Sequence, residues 1–235
     1  MDISIRNLTV KYDDLSIFEN FSCVFEDCKV TVLLGGSGTG KTTLISAIAN
    51  NVEYQGEIQG IGELSFVFQN DRLIPTLSVY KNLDLIIRKF YKDKNHRRQL
   101  IRKMLENLEI EECENRLPSE ISGGQSKRVA LCRAFLYPSQ TLLMDEPFSN
   151  LDIALKSRIC KVFDKLERED PKTVIYVTHS IDEALLLGDR ILVISGRPAE
   201  IVEDISVEIS RENRIISDDY FGDIRSKLLS ALVNS

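Results

Sequence analysis

The chain has 235 residues, of which 43% are hydrophobic, and this fits a globular fold with a substantial core. Its formal net charge of −6 argues against a general attraction to nucleic acid or anionic membranes, and its five scattered cysteines argue against a disulfide framework or a zinc site. The first residues form no signal segment and no apolar run approaches the roughly 18–20 residues that span a bilayer, so we expect a soluble chain with reduced thiols.

The first two predicted strands lie near the start of the chain. Residues 3–12 and 21–25 alternate in places between apolar and polar side chains, which predicts two half-exposed antiparallel strands. Tyr12 ends the first of them, where an aromatic ring could stack on a nucleotide base. Packing at the sheet edge is the alternative for Tyr12, because most aromatic side chains are core or edge residues.

A phosphate-binding loop of the Walker A type follows the apolar strand predicted at 30–34 and precedes a helix predicted at 43–49. Residues 35–42 match the pattern G-x-x-x-x-G-K-[ST] at every fixed position. Glycines let backbone N–H groups converge on a polyphosphate, and the helix N-terminus adds partial positive charge. We expect Lys41 to reach the β- and γ-phosphates and Thr42 to bind Mg²⁺. The residues predicted to bind nucleotide here are Gly35, Gly36, Ser37, Gly38, Thr39, Gly40, Lys41, Thr42 and Thr43.

The next segment is predicted to be a glycine-punctuated hairpin at 56–62, followed by a strand at 64–68 that leads to Gln69. Ligands bind at the carboxyl ends of strands in open α/β sheets, so Gln69 is placed to reach one. A capping or solvent-facing glutamine is the alternative.

Helices replace strands between residues 70 and 137, which predicts an inserted helical lobe. Helix-length segments occur at 77–91 and 97–108, and a third starts near Ser122. This lobe carries a basic cluster whose side chains either form solvated helix faces or contact lipid headgroups or a protein partner. The cluster comprises Arg88, Lys89, Lys92, Lys94, Arg97, Arg98, Arg102 and Lys103.

A second candidate anion-binding helix start lies within that lobe. The signature segment, residues 121–125, reads Ile-Ser-Gly-Gly-Gln and precedes a run with helical apolar spacing. Ser122 is a favoured helix N-cap, and Gly123 and Gly124 leave backbone donors open. Together with Gln125, these residues are predicted to bind nucleotide.

Paired carboxylates end the apolar strand predicted at 140–144. Asp145 is expected to hold the Mg²⁺ shell and Glu146 to polarise an attacking water, although two surface acids at a strand end are the alternative. His179 ends the strand at 173–178 and is a candidate phosphate contact, but a lone histidine is often structural. A helix at 153–168, strands at 190–195 and 199–209 and a helical tail at 218–233 complete the chain.

With these motifs in order, the chain resembles the ATP-binding subunits of ABC transporters over residues 3–209. The resemblance implies an α/β fold with a P-loop NTPase (RecA-like) core, an N-terminal antiparallel β part and an inserted helical lobe. A single ABC ATPase domain over 1–235 would comprise a core lobe (1–69 and 138–210), a helical signature lobe (70–137) and a helical tail (211–235).

The same resemblance assigns roles to individual residues. Tyr12 corresponds to the adenine-stacking aromatic, and Gln69 to the glutamine that senses the γ-phosphate, contributes to the Mg²⁺ site and links it to the membrane subunits. Residues 149–152 correspond to a dimer loop and His179 to the switch histidine. The catalytic group would be Glu146, His179, Gln69 and Lys41, with Mg²⁺ held by Thr42, Gln69 and Asp145.

ATP and Mg²⁺ would therefore be the cofactors, bound in a head-to-tail homodimer or ABC heterodimer. The partners implied are transmembrane permease subunits and, through them, a solute-binding protein, with no nucleic acid. The chain would be cytoplasmic and peripheral on the inner face of the membrane. The wording of 145–149 resembles importer subunits, and residues 196–203 are similar to nitrate, sulfonate and taurine importer ATPases. An exporter or lipoprotein-release system, or iron–sulfur cluster assembly, remains the alternative.

Overall fold

The computed structural model describes residues 1–148, 153–214 and 219–233. The chain divides into two compact units. We call the first the sheet unit (Met1–Leu64, Gln140–Glu146 and Asp170–Ser235) and the second the helical unit (Ser65–Ser139 and Pro147–Glu169). The helical unit includes 147–169, which the predicted helical lobe did not, and the lobe boundaries drawn from sequence stay a prediction.

The strands and helices of the described residues are numbered in chain order. The strands are β1 (Ile3–Tyr12), β2 (Leu15–Phe25), β3 (Val30–Leu34), β4 (Gln55–Gln59), β5 (Leu64–Val67), β6 (Thr141–Asp145), β7 (Thr173–Thr178), β8 (Arg190–Ser195) and β9 (Glu200–Ser206). The α-helices are α1 (Lys41–Ile48), α2 (Val79–Ile87), α3 (Lys94–Asn107), α4 (Gly123–Leu136), α5 (Ile153–Glu169), α6 (Ile181–Leu187) and α7 (Asp219–Val233).

An antiparallel sheet in the order β2-β1-β4 forms one part of the sheet unit. The alternating apolar side chains of β1 are buried, including Ile3, Ile5, Leu8 and Val10, as expected for a sheet with one face on the core. The hairpin predicted at 56–62 is wrong. That segment supplies one strand, β4, which pairs with β1.

A second sheet in this unit contains the strands β6-β7-β3-β8-β9 in that order. β6, β7, β3 and β8 are parallel, and β9 runs antiparallel to β8. Every residue of β3, β6 and β7 is buried, which is typical of parallel strands covered on both faces. The register pairs Asp145 with Val177 and Leu34 with Thr178, so the ends of β6, β3 and β7 lie at one edge of the sheet. The phosphate loop after β3, Glu146 after β6 and His179 after β7 therefore all begin at this edge.

The helical unit contains α2 to α5, and its core includes Leu83, Ile101, Leu105 and Val129. Part of the basic cluster is paired within this unit. Arg97 lies 2.6 Å from Asp84, and Arg98 and Arg102 both pair with Glu114. The remaining basic side chains are exposed, and whether they meet lipid or protein stays a prediction.

Candidate nucleotide-binding site

The phosphate loop joins β3 to α1 in the sheet unit, as the sequence predicted. Helix α1 begins at Lys41 with Gly40 as its N-cap. Gly38 and Gly40 have φ values of +78° and +89°, a left-handed backbone that favours glycine. The loop thus delivers the N-terminus of an eight-residue helix, where unpaired N–H groups favour an anion.

Lys41 folds back over its own loop and is 6% exposed. Its Nζ donates to the carbonyl oxygens of Gly35 at 2.9 Å and Gly36 at 2.6 Å, and to Thr39 Oγ1 at 3.3 Å. Burial lowers the pKa of Lys41, while the carboxylates of Glu146 and Asp145 act in the opposite direction. A buried cation held by neutral carbonyl oxygens is well placed to bind an incoming polyanion.

Thr42 and Asp145 bring two hard oxygen ligands together at the start of α1. Thr42 Oγ1 donates to Asp145 Oδ1 at 3.1 Å, and burial raises the pKa of Asp145. Mg²⁺ in proteins is commonly bound by one or two carboxylates together with substrate phosphates, so this pair fits a magnesium nucleotide. No cluster of three or more His, Cys, Asp or Glu side chains suited to a metal occurs among the described residues.

Glu146 follows β6 and lies beside His179, which follows β7. The N–H of Glu146 donates to Val177 O at 3.0 Å, and the residue has a left-handed φ of +45°. A glutamate rarely adopts this backbone, so the fold holds it in a strained conformation. His179 Nδ1 lies 3.2 Å from Glu146 Oε1, with the histidine side chain 61% exposed. The structure therefore brings an acid and a base together at the edge of the sheet from which the phosphate loop also leaves.

Glu183 supports this edge, and the sequence prediction missed it. Its carboxylate is buried and accepts hydrogen bonds from Tyr176 Oη at 2.7 Å and Thr178 Oγ1 at 2.6 Å. Thr178 Oγ1 also accepts from the N–H of Ser180 at 3.0 Å. These bonds fix the turn that carries His179. The spacing of Ser180 and Glu183 is a helix-start pattern that could have revealed helix α6.

Tyr12 lies at the last residue of β1, paired with Leu15 across the turn to β2. Its side chain is 47% exposed, which is compatible with a ring that stacks on a base. Ser37 is exposed and Thr43 is half-buried in the first turn of α1. The nucleotide contacts of these three residues stay a prediction.

The signature segment begins α4 in the helical unit. Ser122 caps the helix, since its Oγ accepts from the N–H of Gln125 at 3.2 Å, while Gln125 Oε1 accepts from the N–H of Ser122 at 2.9 Å. Gln125 also donates to Glu112 at 2.8 Å. Ser122 and Gly123 are exposed, Gly124 is half-buried, and a side chain added at Gly123 would meet open space. The start of α4 is thus held by two capping hydrogen bonds, and its first residues are exposed.

Gln69 also belongs to the helical unit, two residues after β5, with an exposed side chain. Its carbonyl oxygen accepts a hydrogen bond from Lys127 of α4, and Lys127 lies 3.3 Å from Asp71. Arg133 of the same helix donates to the carbonyls of Asp71 at 2.9 Å and Arg72 at 2.7 Å. Two cations therefore hold the segment 69–72 on the signature helix. The role of Gln69 in catalysis or Mg²⁺ binding stays a prediction, and the predicted dimer loop at 149–152 lies outside the described residues.

A family model described as "ABC transporter" matches residues 18–149 of the chain. The chain belongs to the ABC transporter family. This confirms the resemblance, the fold class and the prediction of an ATPase subunit. The roles of Lys41, Asp145 and Glu146 in nucleotide binding and hydrolysis stay predictions.

Two relatives match almost the whole of this chain, and a third is longer. The aliphatic sulfonates import ATP-binding protein SsuB of Bacillus thuringiensis subsp. konkukian is 35% identical, and the alignment covers 97% of this chain and 95% of that protein. The taurine import ATP-binding protein TauB of Escherichia coli O157:H7 is 32% identical, with 97% and 96% covered. The spermidine/putrescine import ATP-binding protein PotA of Roseobacter denitrificans is 35% identical, but this chain spans 63% of its length.

Solved ABC cassettes share the fold. The dimeric structure of MJ0796, a bacterial ABC transporter cassette, has a TM-score of 0.79 at 27% identity and covers 88% of this chain and 100% of that one. A dimeric post-hydrolysis state of the same cassette, bound to ADP and Pi, has a TM-score of 0.78 at 26% identity, with the same shares covered. No helix in the described part of this chain is long and apolar enough to cross a bilayer.

Proposed function

We propose that this chain binds MgATP at the phosphate loop and hydrolyses it with Glu146 as the group that aligns water. The observation that supports this most directly is the arrangement at one edge of the parallel sheet. Lys41 follows the loop after β3, Asp145 and Glu146 lie at the end of β6, and His179 follows β7. Phosphoryl transfer to water needs positioning and charge neutralisation more than covalent chemistry, and these groups supply both.

The proposal assigns a role to each of these side chains. Lys41 leaves its carbonyl partners to bind the β- and γ-phosphates, and Thr42 and Asp145 hold magnesium, which neutralises charge on the phosphate oxygens when bound. Glu146 accepts a hydrogen bond from water, and His179, 3.2 Å away, orients that carboxylate and contacts the γ-phosphate. Tyr12 stacks on the adenine. Gln69 reports the γ-phosphate to a membrane partner.

A head-to-tail pair of chains would complete the nucleotide site. The exposed start of α4, with Ser122 and Gly123 open in front, supports the binding of an anion carried by another molecule. The two dimeric structures of one cassette, with TM-scores of 0.79 and 0.78, support the same arrangement. ATP would join the two chains because its γ-phosphate contacts both, whereas ADP lacks that contact and allows them to separate.

The transport role is import of a small solute that carries a sulfonate group, such as an alkanesulfonate or taurine. Relatives named for sulfonate and taurine import are covered over 95% and 96% of their lengths, whereas the polyamine relative is covered over 63% of its length. The chain would act at the inner face of the membrane by docking onto permease subunits. Exposed Ile74 and Pro75, next to the segment held on α4, are the proposed contact.

The Glu146→Gln variant tests the catalytic proposal. We expect the steady-state rate of ATP hydrolysis to fall at least ~100-fold, because general base contributions are typically about 10²–10⁴. The same variant should form a dimer with MgATP in size-exclusion chromatography coupled to light scattering. Glu203→Gln is the matched control, since Glu203 is an exposed glutamate of β9, and it should hydrolyse ATP normally. Undiminished hydrolysis by Glu146→Gln would refute the assigned role.

The solute proposal needs the permease. Proteoliposomes that contain this ATPase with the permease and binding protein from its own transport system should hydrolyse ATP faster when taurine or an alkanesulfonate is added. Spermidine should leave the rate unchanged. Stimulation by spermidine alone would replace the sulfonate-bearing solute with a polyamine while leaving the ATPase proposal intact.

A further inference from the structure

The turn between β8 and β9 reaches the phosphate loop through Arg197. Its Nη2 donates to the carbonyl oxygen of Gly38 at 3.0 Å, and both residues belong to the sheet unit. A side chain added at Gly38 would come within 2.8 Å of the same guanidinium nitrogen. The arginine therefore lies against an exposed part of the loop, at Gly38, whereas Lys41 contacts the carbonyls of Gly35 and Gly36.

The turn itself is fixed to the core of the unit. Gly196 has a φ of +83°, and the N–H of buried Ala199 donates to Ile17 O at 2.8 Å. Ile17 in turn lies against the loop, since a side chain added at Gly40 would approach its Cγ2 within 2.8 Å. Arg197 is thus presented from a turn with little freedom to move away from the loop.

The contact sets the direction of one peptide group of the phosphate loop, whose backbone N–H groups would bind the phosphates in the proposed site. In a planar trans peptide the C=O of one residue and the N–H of the next point in opposite directions. By holding the Gly38 carbonyl, Arg197 fixes the direction of the Thr39 N–H. A glycine-rich loop has many alternative conformations, and the free energy needed to order it is taken from the binding free energy unless the loop is ordered beforehand.

We propose that Arg197 is a positioning residue that orders the phosphate loop for nucleotide binding. The inference rests on the proposed ATP site and adds a residue that lies outside the phosphate loop, the signature segment and the paired carboxylates. Lys41 binds the carbonyls of Gly35 and Gly36, and Arg197 binds that of Gly38, so two cations hold successive parts of one loop. Because Arg197 acts before chemistry, it affects the binding of nucleotide and not the hydrolysis step.

Nucleotide affinity and turnover measured separately on the full chain test this role. Arg197→Ala should raise the Kd of a fluorescent ATP analogue and the KM for ATP about tenfold, equivalent to about 1.4 kcal/mol, with kcat within about twofold of wild type. Arg197→Lys keeps a donor and should recover most of the affinity. Arg6→Ala removes another exposed arginine of the sheet unit and is the matched control for charge; it should bind like wild type.

Three outcomes would overturn the inference. They are a Kd for Arg197→Ala equal to that of wild type, a loss confined to kcat, or an equal loss in Arg6→Ala. Thermal unfolding of each variant shows that the affinity is measured on folded protein. If wild type itself fails to bind the analogue, the proposed ATP site fails; if wild type binds and Arg197→Ala binds equally well, only the positioning role fails.

Discussion

Replacing Glu183 by alanine should destabilise the protein and also reduce turnover. The carboxylate is 3% exposed and accepts hydrogen bonds from Tyr176 at 2.7 Å and Thr178 at 2.6 Å. Hydrogen bonds to a charged group contribute about 1.5–3 kcal/mol each, and removing the buried charge offsets part of their loss. We expect the free energy of unfolding to fall by about 3 kcal/mol, and kcat to fall about tenfold because His179 follows Thr178.

Urea unfolding followed by circular dichroism measures the first effect, and steady-state ATP hydrolysis measures the second. Asp182→Ala is the matched control. Asp182 is the preceding acid of the same helix, it is 58% exposed and it pairs with Arg225, so its loss should change stability by less than about 1 kcal/mol. Equal unfolding midpoints for the two variants would refute the structural role of Glu183. Normal turnover in a destabilised Glu183→Ala would refute its link to His179.

Two further predictions concern the ionisation of Asp145 and the exposure of the cysteine thiols. Burial raises the pKa of Asp145 above its ordinary 3.8, so ionisation of this side chain destabilises the nucleotide-free protein as the pH rises above that value. Asp145→Asn should therefore melt at a higher temperature than wild type at pH 7 without nucleotide. Its melting temperature should rise less than that of wild type when MgATP is added. An unchanged MgATP shift would exclude Asp145 from the metal site. Among the five cysteines Cys28 is exposed, whereas burial raises the pKa of Cys23 to about 12 and also raises those of Cys113 and Cys132. Maleimide at pH 7.5 should modify Cys28 first, and Cys28→Ser should lose that rapid phase; rapid labelling that persists would show that a buried thiol is accessible.

The segments that were predictable from sequence are those in which a local pattern determines the structure. The strands predicted at 173–178 and 190–195 have the same bounds in the structure, because continuous β-branched and apolar runs suit buried parallel strands. The phosphate loop and the start of α4 were found because their glycines and capping residues lie next to one another in the chain. In each case, residues that are adjacent in the chain determine the local structure.

The hairpin prediction failed because glycine has a second use. Gly56 has a φ of +106°, and a side chain there would meet the backbone oxygens of Asn7 and Arg6 in β1. Gly60 lies in the same way against Asp2. These glycines allow two strands to approach closely, and a single sequence does not distinguish this from a turn. Helix α6 was missed for a different reason, since its seven residues are too few to show helical periodicity.

Other parts of the site depend on contacts between residues far apart in the chain. Glu146 and His179 are separated by 33 positions and Arg197 and Gly38 by 159, so no spacing rule connects them. Their proximity follows from the strand order, which places β6, β7 and β3 side by side and β8 next to β3. The residue types of the site could be predicted, while the contacts of Glu183 and Arg197 required the fold.

The attachment of residues 69–72 to α4 has a mechanical consequence. Lys127 and Arg133 hold backbone oxygens of residues 69–72, which cannot rotate away as a side chain can, so we expect this segment to move together with α4 and with Ser122, the N-cap of that helix. The segment 69–72 and the start of α4 would then behave as one rigid element. In the proposed transporter, a displacement of residues 69–72 by a permease would therefore shift Ser122 at the same time.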